Sequence, residues 1–347
     1  MIVVNKNCIM KSAKTFIFAL LLTLLAGGTT SCEKTIDFES DVQPELCLSS
    51  VAVVGEPLEA YVSHSLPSDE AYNFEAFPNY NEQQRKYYLD QLAIKDATVK
   101  LTVNGDTTYD LTYNADTAYY VCTYVPKAGD RLVLTAQAQG YDPVQATTVV
   151  PEAVPVAQLQ CETLYDQVDP DLRRQEAMAG FDIWGIDSIA RITFRFTDPP
   201  EQQNYYRLLV RSVGRYYYFS TATANSVCDV FNSADPIFYD ALITRSYHSW
   251  PVYFQNVFDD HLVDGRCSYP VTVESRLRRA DLERYIRLEL QSITPELYEY
   301  LKSIRHYEMG NRSDVYADPT VIYTNVEGGW GIFGALNARP VTIWLQR

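Results

Sequence analysis

The stretch ATVKLTVNGDTTYDLTYNAD, residues 97–116, sets two short apolar and β-branched runs on either side of Asn104-Gly105-Asp106. That triplet is the best hairpin turn in the chain, because Asn and Gly accept the positive φ that a tight turn between twisted strands demands. Five similar runs flank it: ELCLSSVAVV (45–54), LEAYVSHSL (58–66), AYYVCTYV (118–125), RLVLTAQAQG (131–140) and VQATTVV (144–150). Seven short strands punctuated by Gly, Asp and Pro predict an antiparallel β-sandwich of immunoglobulin-like or transthyretin-like kind over residues 45–151. An insertion, NFEAFPNYNEQQRKYYLDQL (73–92), breaks the rhythm and predicts a helix near Glu82–Leu89.

Outward from this unit, VVPEAVPVAQ (149–158) stiffens the chain with Pro151 and Pro155 and marks a domain junction. A length of 347 residues suits two domains, each able to bury a core. Residues 152–347 again predict mainly antiparallel β-structure, a sandwich or barrel, with strands in ARITFRF (190–196), NYYRLLVRSVGRYYYFS (204–220), SYPVTVES (268–275) and RYIRLELQSI (284–293). One strong helix is expected near 295–309, where Thr294 caps, Pro295 takes the first helical position, and Leu297, Leu301 and Ile304 form the inward stripe.

The amino-terminal segment reads as an export signal. From Met10, a better start than Met1, two lysines precede an apolar run from Phe16 to Ala26, which is too short for a comfortable membrane span. Small residues then lead to Ser31-Cys32, a form resembling the bacterial lipoprotein signal, in which cleavage leaves the cysteine to be acylated. Thr29 departs from the leucine usual three residues before that cysteine. Residues 1–32 are therefore expected to be a signal peptide ending at lipidated Cys32, and EKTIDFESDVQP (33–44) a tether to the bilayer. An ordinary secreted protein cut nearby is the competing reading.

Removing this segment takes three lysines and no acid, so the formal net charge moves from −15 to −18. So acidic a chain disfavours nucleic acid as a partner. Five cysteines would remain besides Cys8 and Cys32, an odd number that leaves at least one thiol free. In an oxidising compartment the expected bridges are Cys47 with Cys122 and Cys228 with Cys267, with Cys161 over.

The glycine-rich NVEGGWGIFGALN (Asn325–Asn337) has no Lys, no Ser/Thr and no helical pattern after it, so it is no phosphate cradle. It predicts a passage between strands in which glycine permits positive φ or close approach, while Trp330 and Phe333 plug a core or line its mouth. Together with SCEKTIDFES (31–40), NYYRLLVRS (204–212), FNSADPIFYDAL (231–242) and DPTVIYTNVEGGWGIFGALN (318–337), it resembles domain-of-unknown-function family 4249, a group of Bacteroidota lipoproteins. The resemblance runs from Cys32 to the carboxyl terminus. Its most specific element is Asn325, Glu327, Gly328, Gly329, Gly331, Phe333 and Gly334, expected to be structural, with Trp330 and Ile332 in variable places. Such lipoproteins are typically found alongside TonB-dependent transporters, which implies an accessory role. The family supplies no catalytic residues to carry over.

His64, His248, His261 and His306 are scattered without metal spacing, and hydrolase signatures such as Gly-x-Ser-x-Gly are missing. No metal, cofactor or catalytic set is expected. Asp259, Asp260 and Asp264 precede Gly265, but a calcium loop counted from Asp260 would place Leu262 and Val271 at ligand positions, so a solvated turn is expected. The 27 tyrosines lean toward β-structure, and clusters such as RYYYFS (215–220) fit sheet packing or a cleft for peptide or glycan. Arginine is the sharper oddity, since residues 152–347 hold 18 Arg and one Lys. Arg191, Arg195, Arg207 and Arg211 are expected on one hairpin face, either paired with Glu274 and Glu289 or forming a fork-shaped site for carboxylates. The expected function is an outer-membrane lipoprotein that assists a TonB-dependent transporter in ligand uptake. A structural or adhesive surface protein and a hydrolase with an unrecognised site are the alternatives.

Overall fold

The computed structural model describes residues 43–66, 87, 89–165, 186–200, 202–218, 222–228, 231–233, 235–238, 256–263, 268–278, 282–313 and 321–345. Met1–Val42, with Cys32 and the tether, lie outside them, as do Glu82–Lys86 of the insertion. Residues 87 and 89–92 are helical.

The architecture is mainly β. All seven runs of the first unit form strands: β1 (Leu46–Val53), β2 (Glu59–His64), β3 (Thr98–Val103), β4 (Thr107–Asn114), β5 (Tyr119–Val121), β6 (Arg131–Gln137) and β7 (Val144–Val149). The β3–β4 hairpin turns through Asn104 and Gly105, both at positive φ, with Val103 opposite Thr107. Alternate residues face one core, in which Leu48, Leu101, Leu132 and Leu134 are fully buried. Beneath the β3–β4 turn, Asp130 accepts hydrogen bonds from the Tyr124 hydroxyl (2.5 Å), the Lys127 amide (2.8 Å) and Asn104 Nδ2 (3.0 Å). Burial would raise its pKa, but these donors outweigh it and hold the carboxyl below its ordinary value. A depressed carboxylate adds stability above its unfolded pKa, about 4, and that stability is lost as pH falls through the lower folded value. Between pH 5 and pH 2 the wild type should therefore lose more in urea midpoint than Asp130→Asn, and equal losses would refute the assignment.

The second half contributes β8 (Ala157–Tyr165), β9 (Ile186–Phe196), β10 (Tyr205–Tyr218), β11 (Ala222–Cys228), β12 (Phe231–Asn232), β13 (Val257–Asp259), β14 (Tyr269–Arg278), β15 (Glu283–Ile293), helix α1 (Pro295–Ser313), β16 (Trp330–Ala338) and β17 (Val341–Trp344). β12, β14, β9 and β8 make a small antiparallel sheet. It packs Ile192, Phe194, Val271 and Val273 against Leu208, Val210, Leu288 and Leu290 of the large sheet to form a second core.

The sequence predicts two units that are antiparallel throughout, and here the structure differs. β16 runs parallel to β1, from Cys47 opposite Trp330 to Val53 opposite Leu336. It buries Phe333 and Ala335 in the first core, and its other edge pairs antiparallel with β15. β17 then continues along β15 in unbroken register, Ala338 opposite Gln291 and Val341 opposite Leu288. A single strand line thus passes from the first core into the second sheet pair. A parallel neighbour needs a long crossover, and sequence adjacency carries no sign of it.

Helix α1 starts where Thr294 Oγ1 accepts the Leu297 amide (3.4 Å) and the Ala335 amide (3.2 Å), so its cap is also its anchor to β16. Leu297 and Tyr298 pack on Ile293 and Val257, with Leu301 partly buried beside them. Cys47 and Cys122 are free thiols, which corrects the expected bridge. Cys47 lies opposite Ser63 and the Cys122 amide bonds Leu58 O, so they sit at opposite ends of β2. Five residues of strand separate them by about 16 Å, well beyond the roughly 7 Å that a disulfide spans between Cα atoms. Burial pushes the Cys47 thiol up to about 11. Cys267 lies outside the described residues.

Candidate ligand-binding face

The four arginines do not share a face. β9 belongs to the small sheet and β10 to the large one, and their apolar residues meet across the second core, so their arginines point to opposite outer surfaces. On the small sheet Arg191 donates through Nε (3.0 Å) and Nη2 (2.9 Å) to Glu274 Oε1, its cross-strand partner. Arg195 donates to the Ser268 hydroxyl (2.8 Å) and carbonyl (3.0 Å). Both guanidinium groups are occupied by their own sheet.

Arg207 and Arg211 stand instead on the outer face of the large sheet, where strand register assembles a strip. Arg207 lies opposite Gln291, Leu209 opposite Glu289, Arg211 opposite Arg287 and Val213 opposite Tyr285. The last row extends to Trp344 on β17 and Val227 on β11. Trp344 is 63% exposed and its ring meets Tyr285 at 5.0 Å between centroids, tilted by 51°. Arg287 Nε donates to Glu289 Oε1 at 2.6 Å, and Gln291 Nε2 donates to Oε2 at 3.1 Å. Glu289 thus holds Arg287 and faces Arg207, and Arg211 stands on the same face opposite Arg287. Burial disfavours the Arg207 charge and shifts its pKa down, while Glu289 opposes that shift. Arg207 Nε and Gln291 Oε1, on cross-strand neighbours, are buried with no hydrogen-bond partner among the described residues.

Alternation within NYYRLLVRS is enough to place Arg207 and Arg211 together. Sequence reasoning misses Arg287, Tyr285, Gln291 and Trp344, because they join the face only through β10–β15 and β15–β17 pairing. The alternation Tyr285, Arg287, Glu289, Gln291 against Ile286, Leu288, Leu290 in RYIRLELQSI is the signal that could have found them.

The glycine segment lies elsewhere, at the junction of β1, β7 and α1. The Asn325 side chain clamps the Phe333 main chain, with Nδ2 donating to Phe333 O and Oδ1 accepting the Phe333 amide, each at 2.9 Å. Glu327 exchanges two main-chain hydrogen bonds with Gln145, closing the sandwich beside β7. A Cβ on Gly328 would lie 2.7 Å from Pro143 O, one on Gly329 2.2 Å from Leu46 O, and one on Gly334 2.7 Å from Leu297 Cβ. Phe333 is fully buried, whereas Trp330 is 46% exposed and plugs no core.

Among the described residues no group of three His, Cys, Asp or Glu could hold a metal ion. Asp260 is no solvated turn residue. It is 6% exposed and accepts the Asn204 amide at 2.6 Å, joining two loops, while Asp259 contacts His261. Asp264 lies outside the described residues. Of the tyrosine clusters, Tyr206 is buried in the second core and donates to Asp198 at 2.5 Å, and Tyr205 packs on Tyr298 of α1 with ring centroids 4.7 Å apart. Among the described residues no helix is long and apolar enough to cross a membrane.

Comparison with known proteins returns a family. The model for Domain of unknown function (DUF4249) matches residues 33–340, and the chain belongs to that family. No curated protein matches it. Among solved structures, the Fcho1 Mu homology domain (Danio Rerio) with bound Eps15 peptide aligns over 87% of this chain and 94% of that one, at 8% identity and a TM-score of 0.16. A likeness that slight carries no argument about fold or partner.

Proposed function

We propose that this DUF4249 chain is a Bacteroidota outer-membrane lipoprotein, anchored through acylated Cys32, that serves as a non-catalytic binding partner of a TonB-dependent transporter. The observation that carries the reading is the position of the arginine and aromatic strip relative to the tether. β1 begins directly after the tether, β16 runs parallel to it, and β17 prolongs that line to Trp344. From Trp330, level with Cys47, the line advances 14 residues to Trp344, up to about 46 Å of extended strand. The strip therefore lies beyond the carboxyl end of β1, opposite to the end at which β1 follows the tether, a position that suits meeting a ligand or a barrel mouth. The resemblance of the signal segment and the glycine motif to lipoproteins found beside such transporters supports the same reading.

The unbroken strand line also suits a stalk that holds an adhesive surface away from the membrane, and the two readings share the anchor. Three acyl chains, at about 0.8 kcal/mol per buried methylene, would hold the chain firmly. Cys32→Ser is accordingly expected to move the protein from the membrane fraction to the soluble one. Retention of that variant on membranes, with an unmodified amino-terminal mass in the wild type, would refute the anchor.

A further inference from the structure

We infer that the outer face of β10, β15 and β17 binds an anionic oligosaccharide, its sugar rings stacked on Trp344 and Tyr285 and its carboxylates held by Arg211 and Arg287. This deepens the binding role proposed above and rests on it. Charge is the first ground. The chain carries a formal net charge of −15, yet this strip sets three arginines, Arg207, Arg211 and Arg287, on one face with Glu289. A local positive field on an acidic protein selects an anion, and the planar guanidinium fork matches a carboxylate.

The second ground is what the face offers besides charge. Main-chain groups of β10 and β15 are occupied on both sides in the sheet ladders, so recognition across the middle of the face must come from side chains, while β17, paired only with β15 among the described strands, leaves an edge for which hexaglutamate is the control. An extended peptide brings a row of backbone amides and carbonyls that would find few partners there, and peptides that add to sheets do so at an edge. A saccharide brings apolar C–H faces, which suit exposed aromatic rings, and hydroxyls at its rim.

The third ground lies at the helix-proximal end of the strip. Gln291 is 5% exposed, and among the described residues neither its Oε1 nor the Nε of its cross-strand neighbour Arg207 has a hydrogen-bond partner. A donor beside an acceptor is the complement of a hydroxyl, which accepts from one and donates to the other, whereas a carboxylate can only accept. Both atoms are buried, so a ligand hydroxyl meets them only when the Arg207 and Gln291 side chains turn outward together. The rows from Gln291 to Tyr285 cover about 20 Å, which accommodates a short oligomer.

The test is titration calorimetry of the folded protein with a panel of acidic oligosaccharides: oligogalacturonates, alginate fragments and glucuronate-containing fragments. Their methyl-esterified forms and hexaglutamate serve as comparators. At least one acidic saccharide should bind, weaken at least tenfold on esterification, and weaken at least tenfold in both Arg287→Gln and Trp344→Ala. Both residues are exposed, and unchanged urea midpoints would show the variants intact. Binding of hexaglutamate alone, equal binding of esterified forms, or no binding by any saccharide each overturns the inference. Copurification with a transporter barrel is a separate readout, so the accessory role stands or falls independently of the saccharide result.

Discussion

Gly331→Val is expected to abolish the cooperative unfolding transition of the first sandwich. Gly331 has φ +120°, and a Cβ there would lie 2.0 Å from Leu48 O and 2.8 Å from Leu48 C. The positive φ alone costs a bulky residue about 1–3 kcal/mol. The clash is with main chain, and Leu48 is fully buried in the middle of β1, so no side chain can rotate away. Relief requires β16 to part from β1, which would open the core that both strands line. We expect a loss above about 4 kcal/mol, the range reserved for mutations that break a structural element. Gly55→Ala is the control, because Gly55 has φ +90° and a Cβ added there would meet nothing within 4 Å. It should cost only the backbone strain, so similar urea midpoints for the two variants would remove the close approach of β1 and β16 from the account.

Phe333→Ala should destabilise the same sandwich by about 3–5 kcal/mol, the usual loss for truncating a buried aromatic. Phe333 is fully buried among residues of β1 through β7, although it comes from near the carboxyl terminus. Asn325 holds its amide and carbonyl, so the chain cannot shift easily to fill the void. Amide exchange should quicken at Leu48, Leu101 and Leu134, whose core loses a wall, and protection unchanged there would contradict the packing.

How far the residues alone can lead depends on which interactions are local. The seven strands of the first unit, the Asn104-Gly105 turn and the Thr294 cap are each encoded within a few neighbouring residues, and each is legible in the sequence. The pairing of β16 with β1 joins residues nearly 300 positions apart, and a period of two says only which residues share a side of one strand. It cannot say which sheet a strand joins. That is why periodicity puts Arg191 and Arg195 on a face with Arg207 and Arg211: the DPPEQQ connection carries the chain across the second core instead of folding a hairpin. The same gap conceals Trp344 and Arg287, and it makes Cys47 and Cys122 look like partners because they lie in one unit.

The accessory role is tested most directly by affinity purification of the wild-type protein from detergent-solubilised outer membranes. A TonB-dependent barrel is expected to copurify in near-equal amount. Recovery of the lipidated, folded protein alone, without any outer-membrane barrel, would contradict it.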